Sequence, residues 1–223
     1  AVIAGDFFAP WPGLAALRAD VSARLARERD YEGRLIALRS WRREWHFRIG
    51  VHHLRGLVDA ATSARHYADL AEAVLGALWP EVGAEFSRKH GPPPGRGAAV
   101  MGMGSLGARA LNAASDLDLI VIYDADGAEA SEGRRPLAVQ PYYARLTQAM
   151  ISGLTAQMTG GRLYEVDMRL RPSGNQGPVA TSLGAFQDYQ RNRAWGWEQL
   201  ALTRARAIAG EAANRRATRQ SRF

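Results

Sequence analysis

The chain has 223 residues, of which 47% are hydrophobic and 23% are charged, and its formal net charge is +7 at pH 7. This composition is typical of a globular protein and excludes a disordered or collagen-like chain, while the absence of Cys excludes disulfides, Cys-ligated metals and Cys nucleophiles. The sequence contains no run of about 18 apolar residues and no recognisable secretory signal, so we expect a cytoplasmic protein with no membrane partner.

The positive charge comes almost entirely from arginine, since Lys89 is the only lysine among 29 basic residues. The arginines are spread along the chain rather than clustered, which favours solvated helix faces over a nucleic-acid surface. The charge suits an anionic partner, including the phosphates of a nucleotide. Nucleic acid is therefore not the expected partner.

Residues 1–90 are predicted to be a helical segment. Apolar residues recur three or four positions apart, as in an amphipathic helix, at Leu14, Leu17, Val21 and Leu25. The core of this helical bundle is expected to contain Trp41, Trp45, Phe47 and Ile49. Pro80 is expected to end or kink the last helix, because proline cannot donate a backbone hydrogen bond.

A loop over residues 91–97, with three prolines between glycines, is predicted to separate this segment from a second domain over residues 98–210. The second domain is expected to follow the order strand, turn, helix, strand and then helices. The predicted elements are an apolar run at 98–103, a buried strand at 117–123, a helix at 142–158, a strand at 163–170, a helix from Thr181 or Ser182 to about 191, and a helix at 195–208. Residues 211–223 are interpreted as a basic tail.

Two aspartates mark the start of the buried strand. Asp116 and Asp118 are two residues apart, so a strand places both carboxylates on one face. Two like charges this close raise one pKa unless a cation lies between them, and Mg²⁺ prefers such oxygen ligands. The alternative is that one acid caps a helix and the other lies in an exposed turn.

The second predicted strand has a polar face formed by Glu165, Asp167, Arg169 and Arg171. This face is either simply exposed to solvent or lines a site in which Asp167 joins the other two acids and the arginines meet phosphates. Three carboxylates on adjacent strands can hold two metal ions about 4 Å apart, the arrangement that supports in-line displacement at phosphorus.

The run Gly102-Met103-Gly104-Ser105-Leu106-Gly107 is a candidate phosphate loop. Small residues let backbone N–H groups approach a triphosphate, and the Ser105 hydroxyl can add a hydrogen bond. The run does not match a Walker A loop. It has the letters of a dinucleotide fingerprint, but the eight residues before the next strand are too few for a parallel crossover.

An apolar strand, Gly104-Ser105, Asp116-Leu117-Asp118 and a later strand acid, Asp167, together resemble the polymerase-β-type nucleotidyltransferases. Residues 98–210 more closely resemble the nucleotidyltransferase domains of the bifunctional glutamine synthetase adenylyltransferase/adenylyl-removing enzymes. The resemblance is carried by the stretches 102–107, 115–120, 166–174, 188–191 and 197–206. It implies an α/β (α+β) fold, in which a mixed-sheet polymerase-β-like nucleotidyltransferase core has flanking helices and is preceded by a helical segment.

The resemblance also implies a function. Such enzymes have two similar halves, one that adds AMP from ATP to a tyrosine of glutamine synthetase and one that removes it by phosphorolysis. Arg171 to Gly174 and Asp188 to Arg191 look more like the adenylylating half. One departure is Ser105, where family members often carry lysine.

We therefore expect an enzyme that transfers AMP from ATP, with Asp116, Asp118 and Asp167 as ligands of two Mg²⁺ ions and Asp167 as acceptor of the tyrosine proton. Gly104 and Ser105 are expected to hold the β- and γ-phosphates. Arg169 and Arg171 are candidates for nucleotide binding, although structural ion pairing fits either arginine as well.

Three other interpretations stay open. In the first, the chain is the adenylyl-removing half. In the second, it is a docking fragment that binds glutamine synthetase or a PII-type signal protein without catalysis. In the third, it is a nucleotidyltransferase that modifies RNA or a small molecule. Dependence on the three acids distinguishes the enzymes from the docking fragment. Salt-sensitive binding would mark a nucleic-acid substrate.

Overall fold

The computed structural model describes residues 7–211, so most of the predicted basic tail lies outside the described residues. These residues form seven helices and five strands. The helices are α1 (Gly13–Leu25), α2 (Tyr31–Leu54), α3 (Ala60–His90), α4 (Gly104–Gly107), α5 (Val139–Thr155), α6 (Leu183–Asn192) and α7 (Gly196–Leu202). The strands are β1 (Gly97–Gly102), β2 (Leu117–Asp124), β3 (Val166–Asp167), β4 (Ala180–Ser182) and β5 (Arg206–Gly210).

The long helices begin at aspartates that cap them. Asp30 accepts a hydrogen bond from the Gly33 backbone N–H at 2.7 Å, and Asp59 accepts one from Thr62 at 2.7 Å. Each carboxylate satisfies an N–H group that the first helical turn leaves unpaired. The Ser182 hydroxyl caps α6 in the same way, which confirms the predicted start of that helix.

Helix α3 continues through Pro80 to His90, so Pro80 does not end it. The proline removes one backbone hydrogen bond, but Leu78, Trp79 and Val82 around it are all buried. Burial of these side chains outweighs the lost bond. Among the predicted bundle core, Trp41 and Ile49 are buried and Trp45 is partly buried, whereas Phe47 is half exposed and was wrongly placed in the core.

The five strands form a mixed sheet in the order β3-β2-β1-β5, with β4 also paired to β2. β1 is antiparallel to both β2 and β5, while β3 and β4 run parallel to β2. Because β1 occupies the other edge of β2, β3 and β4 share one edge, and residues 168–179 leave the sheet between them. This mixed α/β architecture confirms the predicted fold class.

Two predicted elements are wrong. The strand expected over 163–170 is only Val166–Asp167, because the Asp167 carboxylate accepts a hydrogen bond from the Arg169 N–H at 2.8 Å and turns the chain away from the sheet. The helix expected over 195–208 ends at Leu202. The residues after it form β5 instead, because the edge of β1 offers them a ladder of backbone hydrogen bonds.

The sheet is buried on two different faces. Leu117, Leu119, Val121 and Tyr123 of β2 pack into a large apolar core shared with α1, α2, α3 and α5, as their alternation predicts. Ile120 and Ile122 point the other way, into a smaller cluster with Phe186 of α6. The acids of β2 lie on this second face.

The proline-rich loop is anchored rather than loose. Tyr142 and Tyr143 of α5 donate hydrogen bonds to the carbonyls of Gly91 at 2.9 Å and Pro94 at 2.6 Å. Helix α3 packs on both α5 and β5, so the large core is continuous on the two sides of this loop. Division of the chain at residues 90 and 98 stays a prediction.

A buried arginine also ties the predicted helical segment to the rest of the protein. The Arg39 guanidinium donates to the carbonyls of Gly161 at 2.9 Å, Gly153 at 2.8 Å and Ala156 at 3.1 Å.

Within residues 7–211, no helix has both the length and the apolar character needed to cross a membrane.

Candidate active site

The sheet brings two of the three predicted acids to neighbouring strand positions. Asp118 of β2 and Asp167 of β3 are direct partners in the parallel ladder. Asp116 lies just before β2 begins, and its carboxylate is close enough to Asp118 to raise the pKa of that acid. Asp116 is exposed, and the other two aspartates are partly buried.

The acids concentrate negative charge. The pKa of Asp118 is raised above its ordinary value, first by burial and then by the carboxylates of Asp116 and Asp167, while Arg169 and Arg204 offset this only in part. Within the described range 7–211, the carboxylates of Asp116 and Asp118 have no hydrogen-bond or ion-pair partner. A bound cation would neutralise the negative charge that Arg169 and Arg204 leave.

Asp167 differs from the other two because Arg169 neutralises it. The Arg169 Nε atom donates to Oδ2 of Asp167 at 2.7 Å, and the Arg169 backbone N–H donates to Oδ1 at 2.8 Å. The hydrogen bonds from Arg169 hold the pKa of the Asp167 carboxyl below its ordinary value. Asp167 is therefore an ionised carboxylate that already has a partner.

The donor set suits a hard divalent cation such as Mg²⁺, which takes carboxylate oxygens and keeps room for substrate phosphates. No group of three His, Cys, Asp or Glu side chains in residues 7–211 is already arranged around one point that would hold a metal. Asp116 and Asp118 are available as they stand. The Asp167 carboxylate is held by Arg169.

The glycine-rich run forms the end of β1 and the short helix α4, directly beside Asp118. The Met103 N–H donates to the Asp118 carbonyl at 2.8 Å. Gly104 has a φ of +48°, and a Cβ atom there would lie 2.1 Å from Oδ2 of Asp118. The structure thus requires glycine at position 104 because the backbone of the loop lies against the carboxylate of this acid.

The other members of the loop have separate roles. Ser105 is exposed beside Gly104. A Cβ atom on Gly107 would lie 2.0 Å from the Arg204 carbonyl, and one on Gly102 would lie 2.8 Å from Cγ1 of Ile208. Gly102 therefore permits close packing of β1 against β5, and Gly107 permits close packing of α4 against the segment that leads into β5.

The two arginines predicted to bind nucleotide are in different surroundings. Arg169 is exposed at the acids, whereas Arg171 is buried. The Arg171 guanidinium donates to the Met168 carbonyl at 2.7 Å and to the Gly177 carbonyl at 3.3 Å. These bonds hold the loop between β3 and β4, and from there the charge of Arg171 still contributes to the lowered pKa of Asp167, after the larger effect of Arg169.

Two acids outside the predicted site form contacts that the sequence did not indicate. Glu198 accepts hydrogen bonds from the Tyr189 hydroxyl at 2.9 Å and the Trp195 N–H at 2.8 Å. Arg206 pairs with Glu72 of α3. No local spacing connects positions 72 and 206, so no sequence signal indicated this contact.

The chain matches the family described as Glutamate-ammonia ligase adenylyltransferase over residues 3–221. It is 49% identical over 201 residues to a protein of Mesorhizobium japonicum named bifunctional glutamine synthetase adenylyltransferase/adenylyl-removing enzyme, covering 90% of this chain and 20% of that protein. Proteins of the same name from Brucella suis and Agrobacterium fabrum are 48% identical over 92% of this chain and 50% identical over 84% of it. The chain spans about one fifth of the length of these relatives.

Proposed function

Because this chain belongs to the glutamate-ammonia ligase adenylyltransferase family, we propose that it transfers AMP from ATP to a tyrosine of glutamine synthetase and releases pyrophosphate. The observation that supports this proposal best is the position of Gly104 against the carboxylate of Asp118, beside the exposed acid Asp116. A loop suited to phosphates and two unpaired carboxylates thus meet at one point of the sheet.

Asp116, Asp118 and Asp167 would hold two Mg²⁺ ions. When bound, these ions supply positive charge to the phosphates of ATP and lower the pKa of an attacking hydroxyl. Asp116 and Asp118 are ready to act as ligands, because neither carboxylate forms a hydrogen bond or an ion pair among residues 7–211, and Arg169 and Arg204 offset the charge at Asp118 only in part. Gly104 and Ser105 bind the β- and γ-phosphates.

In the proposed reaction the tyrosine oxygen forms a bond to the α-phosphorus, and the bond between this phosphorus and the pyrophosphate oxygen breaks. Asp167 accepts the hydroxyl proton. Asp167 is a poor base while Arg169 holds its pKa low. Release of Arg169 toward the phosphates raises the basicity of Asp167 and supplies positive charge to the nucleotide in the same movement.

The adenylyl-removing activity is a second candidate, because the relatives are named for both activities. It would use the same acids, with phosphate attacking the AMP-tyrosine linkage to give ADP. The stretches at 171–174 and 188–191 favour the adenylylating half. We also propose a cytoplasmic location and regulation by a PII-type signal protein.

The test uses α-labelled ATP, Mg²⁺ and unmodified glutamine synthetase with the complete chain. Label is expected on the synthetase with the unsubstituted chain and is expected to be lost with Asp116→Asn. The control is Asp126→Asn, which changes an exposed turn acid paired with Arg96 at 2.8 Å, beyond the other end of β2, and should leave transfer unchanged.

Equal labelling by Asp116→Asn and the unsubstituted chain would refute the assignment of Asp116. Absence of label, together with release of ADP from AMP-modified synthetase and phosphate, would identify the removing activity. Absence of both reactions would refute the proposed function.

A further inference from the structure

Helix α3 carries two buried acids outside the candidate active site. Asp69 is 5% exposed and Glu72 is 6% exposed, and they lie one helical turn apart. Buried carboxylates are costly unless cations or hydrogen-bond donors surround them. Each of the two has one partner from a segment before the helix in the sequence and one from a segment after it.

Asp69 joins the start of the chain to the residue that follows the glycine loop. The indole N–H of Trp11 donates to Oδ2 of Asp69 at 3.1 Å, and Oδ1 forms an ion pair with the guanidinium of Arg109. Arg109 directly follows the cap of α4 and has a φ of +58°. A non-glycine residue rarely adopts this left-handed conformation unless its surroundings enforce it.

Glu72 makes the same kind of connection. Oε1 pairs with Arg18 of α1 at 3.0 Å, and Oε2 pairs with Nη1 of Arg206 at 2.9 Å. The other side of the Arg206 guanidinium reaches the end of α4, where Nε donates to the Gly107 carbonyl at 2.8 Å and Nη2 donates to the Leu106 carbonyl at 3.3 Å. One arginine thus connects a buried acid of α3 to the last carbonyls of the glycine loop.

We propose that Asp69 and Glu72 are positioning residues for AMP transfer, which act through Arg109 and Arg206 to hold Gly104 and Ser105 against Asp118. This inference rests on the proposed function. It makes the helices before residue 91 part of the catalytic unit, because they supply the acids that fix the glycine loop from behind.

The ion pairs of Asp69 and Glu72 are expected to fix the position of the glycine loop rather than to stabilise the fold. Buried ion pairs are weak evidence for stability, since desolvation offsets much of their attraction. A loop that carries reacting groups is sensitive to displacement, and misplacement by about 1 Å can lower a rate about 100-fold. Four side chains from three parts of the sequence therefore serve to place one short loop.

The test compares Glu72→Gln with Arg34→Met in the complete chain. Arg34 forms a partly exposed ion pair with Glu81 at 2.6 Å, which joins α2 to α3 away from the glycine loop. Amide hydrogen exchange is measured at Gly107, Ala108 and Ala110, whose N–H groups bond to carbonyls of Met103, Gly104 and Ser105. The values of kcat and KM for ATP are measured with the same proteins.

Glu72→Gln is expected to speed exchange at these three amides and to lower kcat about 100-fold, with less change in KM. Arg34→Met is expected to leave both unchanged. Arg206→Lys provides a second test if Glu72→Gln folds poorly, because lysine keeps the charge next to Glu72 but cannot bridge to both carbonyls. Arg206→Lys should reproduce the faster exchange and the lower kcat.

Unchanged amide exchange at the glycine loop in both Glu72→Gln and Arg206→Lys would overturn the positioning role. Faster exchange with an unchanged kcat would overturn it as well. An unsubstituted chain without any transfer or removal activity would refute the proposed function instead. The exchange measurement does not depend on activity, so these two failures are distinguishable.

Discussion

The two faces of β2 are built differently. On one face, Leu119 and Val121 lie in the large core beneath α3 and α5, where apolar contact is continuous. On the other face, Ile120 and Ile122 have only a small cluster over them, and Asp118 lies at its border with a raised pKa. One face therefore belongs to the larger apolar core, and the other carries the charge.

This contrast shows how a marginally stable fold can contain an unfavourable group. Uncompensated carboxylates cost free energy in the folded state, and a protein of this size has only about 5 to 15 kcal/mol to lose. Burial on the helix-covered face offsets that cost. Asp116 and Asp118 can then stay available for a ligand, whereas Asp167 is paired with Arg169.

The largest expected effect is a loss of stability on the helix-covered face. Leu119→Ala removes a fully buried side chain and should lower the free energy of unfolding by about 3 kcal/mol. Ile122→Ala, on the other face, should cost about 1 kcal/mol less, because the smaller cluster can relax into the space. Urea unfolding of both variants measures the difference, and an equal or larger cost for Ile122→Ala would contradict the proposed contrast.

A smaller effect is expected where the loop meets the acids. Gly104→Ala places a methyl group 2.1 Å from Oδ2 of Asp118 and imposes a φ of +48° on alanine. The free energy of unfolding should fall by about 1 to 2 kcal/mol, and AMP transfer should fall about 100-fold because Asp118 is displaced. Thermal unfolding and the labelling assay measure the two effects.

Gly127→Ala is the matched control for this substitution. Gly127 also has a positive φ, +80°, but a Cβ atom there has no neighbour within 4 Å. A similar loss of stability with full transfer activity is expected. If Gly127→Ala lowered transfer as strongly as Gly104→Ala, backbone strain alone would explain the effect and the role of the carboxylate contact would be wrong.

The smallest expected effect is a gain in stability. Asp118 has a raised pKa in the folded state, so its ionised form opposes folding at pH values above that pKa, and the cost disappears below the unfolded value of about 3.9. Asp118→Asn should therefore raise the free energy of unfolding at pH 7 by about 0.5 to 1 kcal/mol and have little effect near pH 3. Urea unfolding at the two pH values tests this.

Asp167→Asn should change the free energy of unfolding at pH 7 in the opposite direction from Asp118→Asn. Arg169 lowers the pKa of Asp167, so ionised Asp167 favours folding above the unfolded pKa, and this contribution is lost as the pH falls through the folded pKa. The asparagine variant should be less stable than the parent chain at pH 7. If both asparagine variants changed the free energy of unfolding at pH 7 in the same direction, the charge arrangement described for the site would be wrong.

The sequence by itself determined the features that depend on near neighbours. The alternation at 117–123 predicted which side chains of β2 enter the main core, and the spacing of Asp116 and Asp118 predicted that their charges lie close together. The Ser182 cap was predictable for the same reason. Strand and helix periodicity act over a few residues, so such patterns can be recognised without knowing what packs against them.

Only the tertiary structure decided the features that join distant positions. The pairing of Asp118 with Asp167, the extension of α3 through Pro80 and the choice of β5 over a longer helix each depend on a partner far along the chain. So does the contact between Glu72 and Arg206. A hydrogen-bond ladder or a buried charge is stable only when its partner is present, and the local sequence does not specify that partner.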